Sequence, residues 1–317
     1  MAWKRGGFVG VLLVAIGASF WGTDAILRVP LLEAMSPSAI VFSEHLVLLL
    51  YSVPAVALGW RAFRNFRASH WIALLIIGWG GSALATLLFT TAFAVGNPTV
   101  AILLQKTQPL FAIILASILL QERLNWRYWV SFAVAMVGAY LISFGDFTPF
   151  GELKPGEVLT AALAIGAAAL WGSSTVLGRF VLKDMPFYTL TGARLLLALP
   201  LLALIALAQG SFGQVGAGFA AQPATIFLLA LIPGLIALLL YYRGLTGTRA
   251  SYATLAELTF PATAVILNWS FLGVEVSANQ IFGFFLLWGS VFVLSYLNSR
   301  APAPEPPSTI LGTGRTG

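Results

Sequence analysis

A short stretch that occurs twice decides the fold. Residues 18–23 read Ala-Ser-Phe-Trp-Gly-Thr, and residues 168–173 read Ala-Ala-Leu-Trp-Gly-Ser, so that Trp171 follows Trp21 at an offset of 150. A fixed period of this kind indicates a repeated structural unit, and we therefore looked for further matches along the two copies.

The similarity continues in the same order along each copy. The matching pairs are Met35 with Met185, Pro37 with Pro186, Ala101 with Ala253, Leu103 with Leu255, Pro109 with Pro261, Ala112 with Ala264 and Glu122 with Glu275. Chance likeness between apolar helices is the alternative, but it does not account for Trp-Gly, Pro and Glu recurring in one order. The sequence predicts a duplicated unit of about 150 residues.

Composition places this duplicated unit in a membrane. Of 317 residues, 59% are hydrophobic and 9% are charged, whereas a soluble domain has about 25% charged residues. The apolar content excludes a disordered chain, and the absence of cysteine excludes a disulfide scaffold. The net charge is +6, but no basic cluster with interleaved aromatic residues indicates nucleic-acid binding.

Apolar runs of about 20 residues, the length that crosses a bilayer, divide the chain into ten predicted spans. Numbered 1 to 10 in chain order, the spans are 7–30, 37–60, 71–94, 98–120, 126–145, 157–179, 185–208, 224–245, 250–273 and 277–297. Each copy holds five spans, an odd number, so the second copy enters the membrane upside down. We therefore expect an all-α integral membrane protein made of two inverted five-helix repeats around a central cavity.

The distribution of cations predicts the orientation. With the N-terminus in the cytoplasm, 13 of the 17 Lys and Arg fall on the cytoplasmic side and only Lys154 on the other. Both termini are therefore predicted to be cytoplasmic. The domain organisation follows: a first repeat over 1–145, an extracytoplasmic linker over 146–156, a second repeat over 157–298 and a disordered cytoplasmic tail over 299–317.

The two Trp-Gly motifs, and the proline followed by glutamate that closes spans 4 and 9, resemble the drug/metabolite transporter superfamily of EamA type. The resemblance covers residues 7–297. Within that superfamily the sequence is most similar to the bacterial YddG-like exporters of aromatic amino acids. The resemblance implies a multi-pass carrier of the bacterial inner membrane, with a cavity between its halves.

Span 1 carries three polar or aromatic residues on one helical face, because Trp21, Asp24 and Arg28 are three and four residues apart. An ionisable side chain within a span marks a functional site or a structural ion pair. We expect Asp24 to face the cavity, and Arg28, near the outer end of the span, to form a structural ion pair or to anchor the span at the interface. Trp21 and Trp171 are candidates to stack on a substrate or, alternatively, to pack between helices.

Span 4 has two amides and a helix break close together. Gln105 and Gln108 lie on one side with Pro109, and Lys106 follows Gln105 about 100° around the helix. Pro109 leaves the Gln105 carbonyl without its usual partner in the helix. In span 9, Glu257 and Pro261 occupy the matching places. We expect these side chains in the cavity, and Pro109 and Pro261 to act as gating kinks or as packing kinks.

Glu44 and His45 in span 2 are candidates for a proton relay or for a buried hydrogen bond, because histidine titrates near neutrality. Trp79 in span 3 lies among glycines that leave room either for a ligand or for close helix packing. Tyr241 and Tyr242, near the inner end of span 8, are expected to be interface aromatics. The candidate substrate site is thus Trp21, Asp24, Glu44, His45, Trp79, Gln105, Lys106, Gln108, Trp171 and Glu257.

The sequence lacks the motifs that several enzyme classes require. No P-loop, nucleophile elbow or zinc-protease helix occurs, and two His without Cys supply a metal site poorly, so we expect no catalysis, metal or cofactor. The function predicted is a secondary carrier that exports amino acids, including aromatic ones. A carrier for another metabolite or drug is the alternative, and an intramembrane enzyme or a channel is a remote one. The expected partners are a small-molecule substrate and the bilayer, and no oligomer interface can be assigned.

Overall fold

The computed structural model describes residues 2–96, 98–144, 155–272 and 277–300. Within these ranges the chain is helical and contains no strand. The predicted linker over 146–156 and the predicted tail over 299–317 lie almost entirely outside the described residues, and Glu275 lies outside them too. The prediction of an all-α membrane protein is confirmed.

The ten predicted spans are recovered with different degrees of regularity. The α-helices are Ala2–Trp21, Asp24–Leu31, Pro37–Gly59, Ala68–Leu75, Ala85–Val95, Pro98–Gln105, Gln108–Leu119, Trp126–Phe144, Pro155–Val181, Phe187–Ala208, Phe212–Ala221, Pro223–Leu229, Ala237–Leu245, Ala250–Ala256, Phe260–Leu272 and Ala278–Arg300. Among the described residues, seven helices are long and apolar enough to cross a membrane by length and composition. The other three spans are span 5, which is short, and spans 4 and 9, which are broken.

The breaks in spans 4 and 9 occur at matching places. The first helix of span 4 ends at Gln105 and the next begins at Gln108. In span 9, the residues Glu257–Thr259 form a 3₁₀ turn between two α-helices. Each break lies within four residues before a proline, Pro109 or Pro261. A proline has no backbone N–H, and its ring clashes with the carbonyl group four residues earlier, so the regular helix is interrupted there. Both breaks expose polar backbone in mid-membrane, where something inside the protein must satisfy it.

Spans 3 and 8 share a second irregularity that the sequence did not indicate. Ile76–Leu84 and Ala230–Ile236 are π-helical, with wider turns than the α-helices on either side. Wide turns of this kind are frequent at functional sites. They bring Gly81 and Gly234 to the wall of the same cavity.

The first span of each repeat packs against helices of the other repeat. Span 1 packs against spans 8, 9 and 10, whereas span 6 packs against spans 3 and 4. Glycines allow the close approach: a Cβ on Gly17 would lie 2.8 Å from the Ala237 carbonyl oxygen, and one on Gly172 would lie 2.9 Å from that of Gln108. The first span of each repeat is therefore embedded in the opposite repeat.

Spans 5 and 10 form a separate helix pair at one edge. Their backbones touch at Gly138 and Gly283, where a Cβ on either residue would lie 2.8 Å from the carbonyl oxygen of the other. Elsewhere the outer surface is apolar, and Leu50 and Leu58 in span 2 are 77% and 79% exposed. Large exposed aliphatic side chains around a helical protein are expected where the solvent is lipid.

Candidate substrate cavity

A cavity lies between the two repeats. Its wall takes side chains from spans 1 to 4 and 6 to 9, and none from the helix pair of spans 5 and 10 among the described residues. Of the ten candidate site residues, eight line it: Trp21, Asp24, Glu44, His45, Gln105, Gln108, Trp171 and Glu257. Their contact with a substrate stays a prediction.

Two candidates lie elsewhere, and the expectation that they face the cavity is wrong. Trp79 is 42% exposed on the outer surface, because the π-helical turns of span 3 direct Gly81 inward in its place. Lys106 is buried, but its Nζ donates to the Ala139 carbonyl of span 5 at 3.3 Å and lies 5.9 Å from the Phe260 ring centre. The helix break after Gln105 keeps the amides inward and turns Lys106 the other way.

Arg28 is the centre of a buried charge cluster at the cavity wall. Its guanidinium binds both carboxylate oxygens of Asp24, at 2.6 and 2.7 Å, and donates to Glu44 at 3.1 Å and to Thr90 at 3.1 Å. Only 3% of Arg28 is exposed, so of the two roles expected for it, the structure agrees with the ion pair and not with interface anchoring. One guanidinium therefore serves two carboxylates.

Glu44 and His45 do not form the pair considered from the sequence. Glu44 binds Arg28, whereas His45 Nδ1 donates to the Val41 carbonyl at 2.8 Å. Successive residues on a helix point about 100° apart, which separates the two side chains. Because Nδ1 carries the donated hydrogen, His45 Nε2 is an acceptor, and it has no hydrogen-bond partner.

A chain of hydrogen bonds joins the two broken spans. Gln105 Nε2 donates to Gln108 Oε1 at 2.7 Å, and Gln108 Nε2 donates to Glu257 Oε2 in a short contact. Glu257 Oε1 accepts from Thr175 Oγ1 at 3.2 Å, and Thr175 shares a hydrogen bond of 2.7 Å with the Tyr241 hydroxyl. The chain thus runs from span 4 through spans 9 and 6 to span 8.

Arg194 and the two tyrosines of span 8 are functional candidates that the sequence reasoning missed. Arg194 donates to Ser82 and to the Tyr242 hydroxyl, both at 2.7 Å. Tyr241 and Tyr242 are buried, so their assignment as interface aromatics is wrong. Arg194 lies 150 residues after Glu44, the offset of the Trp-Gly repeat, and this match to a candidate residue was the available signal. Among the described residues, no carboxylate forms an ion pair with Arg194.

Aromatic rings from the repeated Trp-Gly motifs reach the cavity in both halves. Trp21 lies 5.3 Å from the Tyr241 ring, and Trp171 lies 5.2 Å from the Phe89 ring. The Trp171 indole also donates to the Gly81 carbonyl at 2.9 Å, which fixes its orientation. Tilted and edge-on pairs at these distances are favourable. The cavity therefore offers π-faces from each repeat.

Three polar atoms of cavity residues have no hydrogen-bond partner within the protein: His45 Nε2, Gln105 Oε1 and Ser174 Oγ. Unsatisfied buried polar atoms are costly, and a ligand or water normally satisfies them. Within the described part of the chain, no group of three or more His, Cys, Asp or Glu residues is placed to hold a metal ion. The arrangement suits an organic molecule with an aromatic body and polar edges.

Comparison with known proteins identifies the family. The model of the EamA-like transporter family matches twice, over residues 8–144 and 158–296. The riboflavin transporter ImpX of Fusobacterium nucleatum is 33% identical, covering 91% of this chain and 98% of the relative. The uncharacterized transporter YwfM of Bacillus subtilis is 23% identical, covering 90% and 93%.

A solved crystal structure has the same fold, with a TM-score of 0.70 at 19% identity, covering 94% of this chain and 98% of that chain. These matches support the family without singling out the YddG-like exporters, so that resemblance stays a prediction. The double match over both halves agrees with the repeat read from the two Trp-Gly motifs. The chain belongs to the EamA-like transporter family, within the drug/metabolite transporter superfamily.

Proposed function

We propose that this transporter is a secondary carrier for riboflavin. The observation that carries the proposal is the 33% identity with a riboflavin transporter over nearly the full length of both proteins. The cavity supports it, because a planar isoalloxazine ring needs aromatic faces and Trp21 and Trp171 provide them.

The same proposal includes the transport mechanism and the orientation of the protein in the membrane. Inverted repeats around a cavity favour alternating access, since exchanging the conformations of the two halves moves the opening from one side to the other. The cation distribution supports cytoplasmic termini in a bacterial inner membrane. Export is the proposed direction, with Pro109 and Pro261 as the kinks at which spans 4 and 9 bend.

Aromatic amino acids are the second candidate substrate, and one observation favours them. Arg194 and Glu257 both line the cavity, and neither forms an ion pair with a described residue. A free zwitterion needs a cation for its carboxylate and an anion for its ammonium group. Arg194 and Glu257 supply this pair, and the tryptophans supply the apolar wall.

The test is flux into proteoliposomes of the purified protein. We expect saturable counterflow of radiolabelled riboflavin and little competition by tryptophan or phenylalanine. Trp171→Ala should weaken riboflavin affinity by about tenfold, because it removes an aromatic stacking contact. Trp79→Ala is the matched control, since Trp79 faces outward, and it should leave affinity unchanged.

The other outcomes are equally informative. Saturable flux of tryptophan without riboflavin flux would replace the first substrate by the second. Flux of neither in well-folded protein would reject both substrates. Riboflavin accumulation by intact cells that express the protein, rather than depletion, would overturn the proposed direction.

A further inference from the structure

The ionisable groups of the cavity wall do not balance. Three carboxylates line it, those of Asp24, Glu44 and Glu257, against the two guanidiniums of Arg28 and Arg194. Asp24 and Glu44 share Arg28, whereas no described basic side chain forms an ion pair with Glu257. Lys106 balances the formal charge of the buried set but is directed at the Ala139 carbonyl. A buried carboxylate without an ion-pair partner is costly, so Glu257 favours a bound proton.

The partners of Glu257 suit a proton better than a metal cation. Gln108 directs an N–H group at Oε2, which repels a cation there and leaves Oε1 as the free position. Oε1 contacts the Thr175 hydroxyl, which in turn contacts the Tyr241 hydroxyl. A hydroxyl both donates and accepts, so this chain can reverse its direction. It donates to the ionised acid and accepts from the protonated one, without a change of position.

From this arrangement we propose that Glu257 is the proton-binding residue of the carrier, and that substrate and proton bind in alternation. The inference rests on the proposed function only in that the chain is a carrier working through this cavity. It does not depend on which substrate occupies it. A carrier in which substrate and proton replace each other is an antiporter.

The sign of the coupling follows from the amide chain. Gln105 Oε1 has no partner, and Gln105 Nε2 donates to Gln108, which donates to Glu257. A substrate that donates a hydrogen bond to Gln105 Oε1 polarises both amides toward stronger donation. Stronger donation stabilises the ionised form of Glu257. Substrate binding therefore releases the proton, and proton binding weakens the substrate's site.

The ionisable groups around Glu257 have partners of their own, whereas Glu257 has no ion-pair partner among the described residues. They are Tyr241 and Tyr242 on span 8, Arg194 on span 7, Lys106 on span 4, and Asp24 and Arg28 on span 1, with Glu44 and His45 of span 2 on the same cavity wall. Tyrosine and arginine hold their protons at neutral pH. Lys106 is turned toward the Ala139 carbonyl, and Asp24 is held by Arg28.

The first experiment needs no substrate. Infrared difference spectra of the ligand-free protein, recorded over about pH 5 to 9, should contain the C=O absorption of a protonated carboxyl group that Glu257→Gln abolishes. Glu33→Gln, at an exposed acid outside the cavity, is the control and should keep the band. Thr175→Ala keeps the acid but removes its hydroxyl partner, and it should shift the pH midpoint of the band. A band that persists in Glu257→Gln would overturn the proposal.

The second experiment measures coupling with riboflavin in proteoliposomes whose membrane potential is clamped at zero. Vesicles that are acidic inside should accumulate riboflavin about tenfold for each pH unit of gradient, as one-for-one exchange requires. In Glu257→Gln, the ratio of uptake driven by the pH gradient to uptake at equal pH should fall to about one, whatever rate of counterflow the variant retains. Wild-type counterflow that no pH gradient can drive would overturn the proposal. Absence of any riboflavin counterflow would instead reject the substrate, and the infrared band would then decide the role of Glu257.

Discussion

Removing the Arg28 guanidinium should destabilise the transporter severely. Only 3% of this residue is exposed, and its nitrogens lie 2.6 Å from Asp24 and 3.1 Å from Glu44. Arg28→Met keeps much of the side-chain volume and removes the charge, which leaves both carboxylates without a cation. These two acids belong to different spans, so their repulsion acts between span 1 and span 2.

The magnitude follows from the cost of leaving a buried charge unpaired. Removing one partner of a buried ion pair costs about 3–5 kcal/mol. A domain of comparable size loses about 2–4 °C of melting temperature per kcal/mol, so we expect a fall on the order of 10 °C. Arg28→Lys should lose less, because it retains the charge but not the planar fork that binds Asp24 at two oxygens.

The melting temperature is measured by heating the protein in detergent and monitoring the remaining folded fraction by size-exclusion chromatography with tryptophan fluorescence. Arg64→Met is the matched control, because Arg64 is exposed and outside the cavity, and it should change little. The double variant Arg28→Met/Glu44→Gln should recover part of the loss, since one of the two repelling carboxylates becomes neutral. A melting temperature of Arg28→Met within about 2 °C of wild type would refute the reasoning.

Two further predictions concern packing and capping. Gly138→Ala, whose new Cβ would lie 2.8 Å from the Gly283 carbonyl oxygen, should destabilise the pair of spans 5 and 10 by about 1–3 kcal/mol; Gly289→Ala, with open space around it, should not lower the melting temperature. Glu122 accepts from the backbone N–H groups of Ala250 and Ser251 at 2.8 and 3.0 Å, so Glu122→Ala should cost about 0.5–2 kcal/mol. Hydrogen exchange should then be faster at the start of the helix Ala250–Ala256, and unchanged protection there would contradict the capping role.

The large features of this fold were accessible from the sequence because each depends on local chemistry. Apolar runs of sufficient length form spans, and a proline such as Pro109 or Pro261 breaks a helix a few residues before it. The placement of Gln105, Gln108 and Glu257 at the cavity follows from those breaks. Two copies of one motif were enough to relate the two halves.

The errors share a different origin, which is the direction of a side chain after an irregular turn. Trp79 lies in a π-helical segment that contains no proline, so the sequence gives no sign of the irregularity. The direction of the Trp79 side chain therefore could not be predicted from a period of 3.6 residues. Lys106 follows a break, after which the angular position is no longer set by spacing. For Arg28 the sequence left an ion pair and interface anchoring open, because spacing along one span does not show which acids of other spans approach it; two acids hold it inward.

The break in span 1 has no counterpart in span 6. The α-helix of span 1 is interrupted at Gly22 and Thr23, whereas Pro155–Val181 continues as one helix through the matching Gly172. The Arg28 charge cluster also exists in one repeat only, because Ser174 and Gly178 stand where Asp24 and Arg28 would recur. If the repeats were equivalent, the conformations open to the two sides would have equal free energies. If the chain is the alternating-access carrier proposed above, their inequality should give the empty carrier a preferred resting side, and the two half-cycles of transport should proceed at different rates.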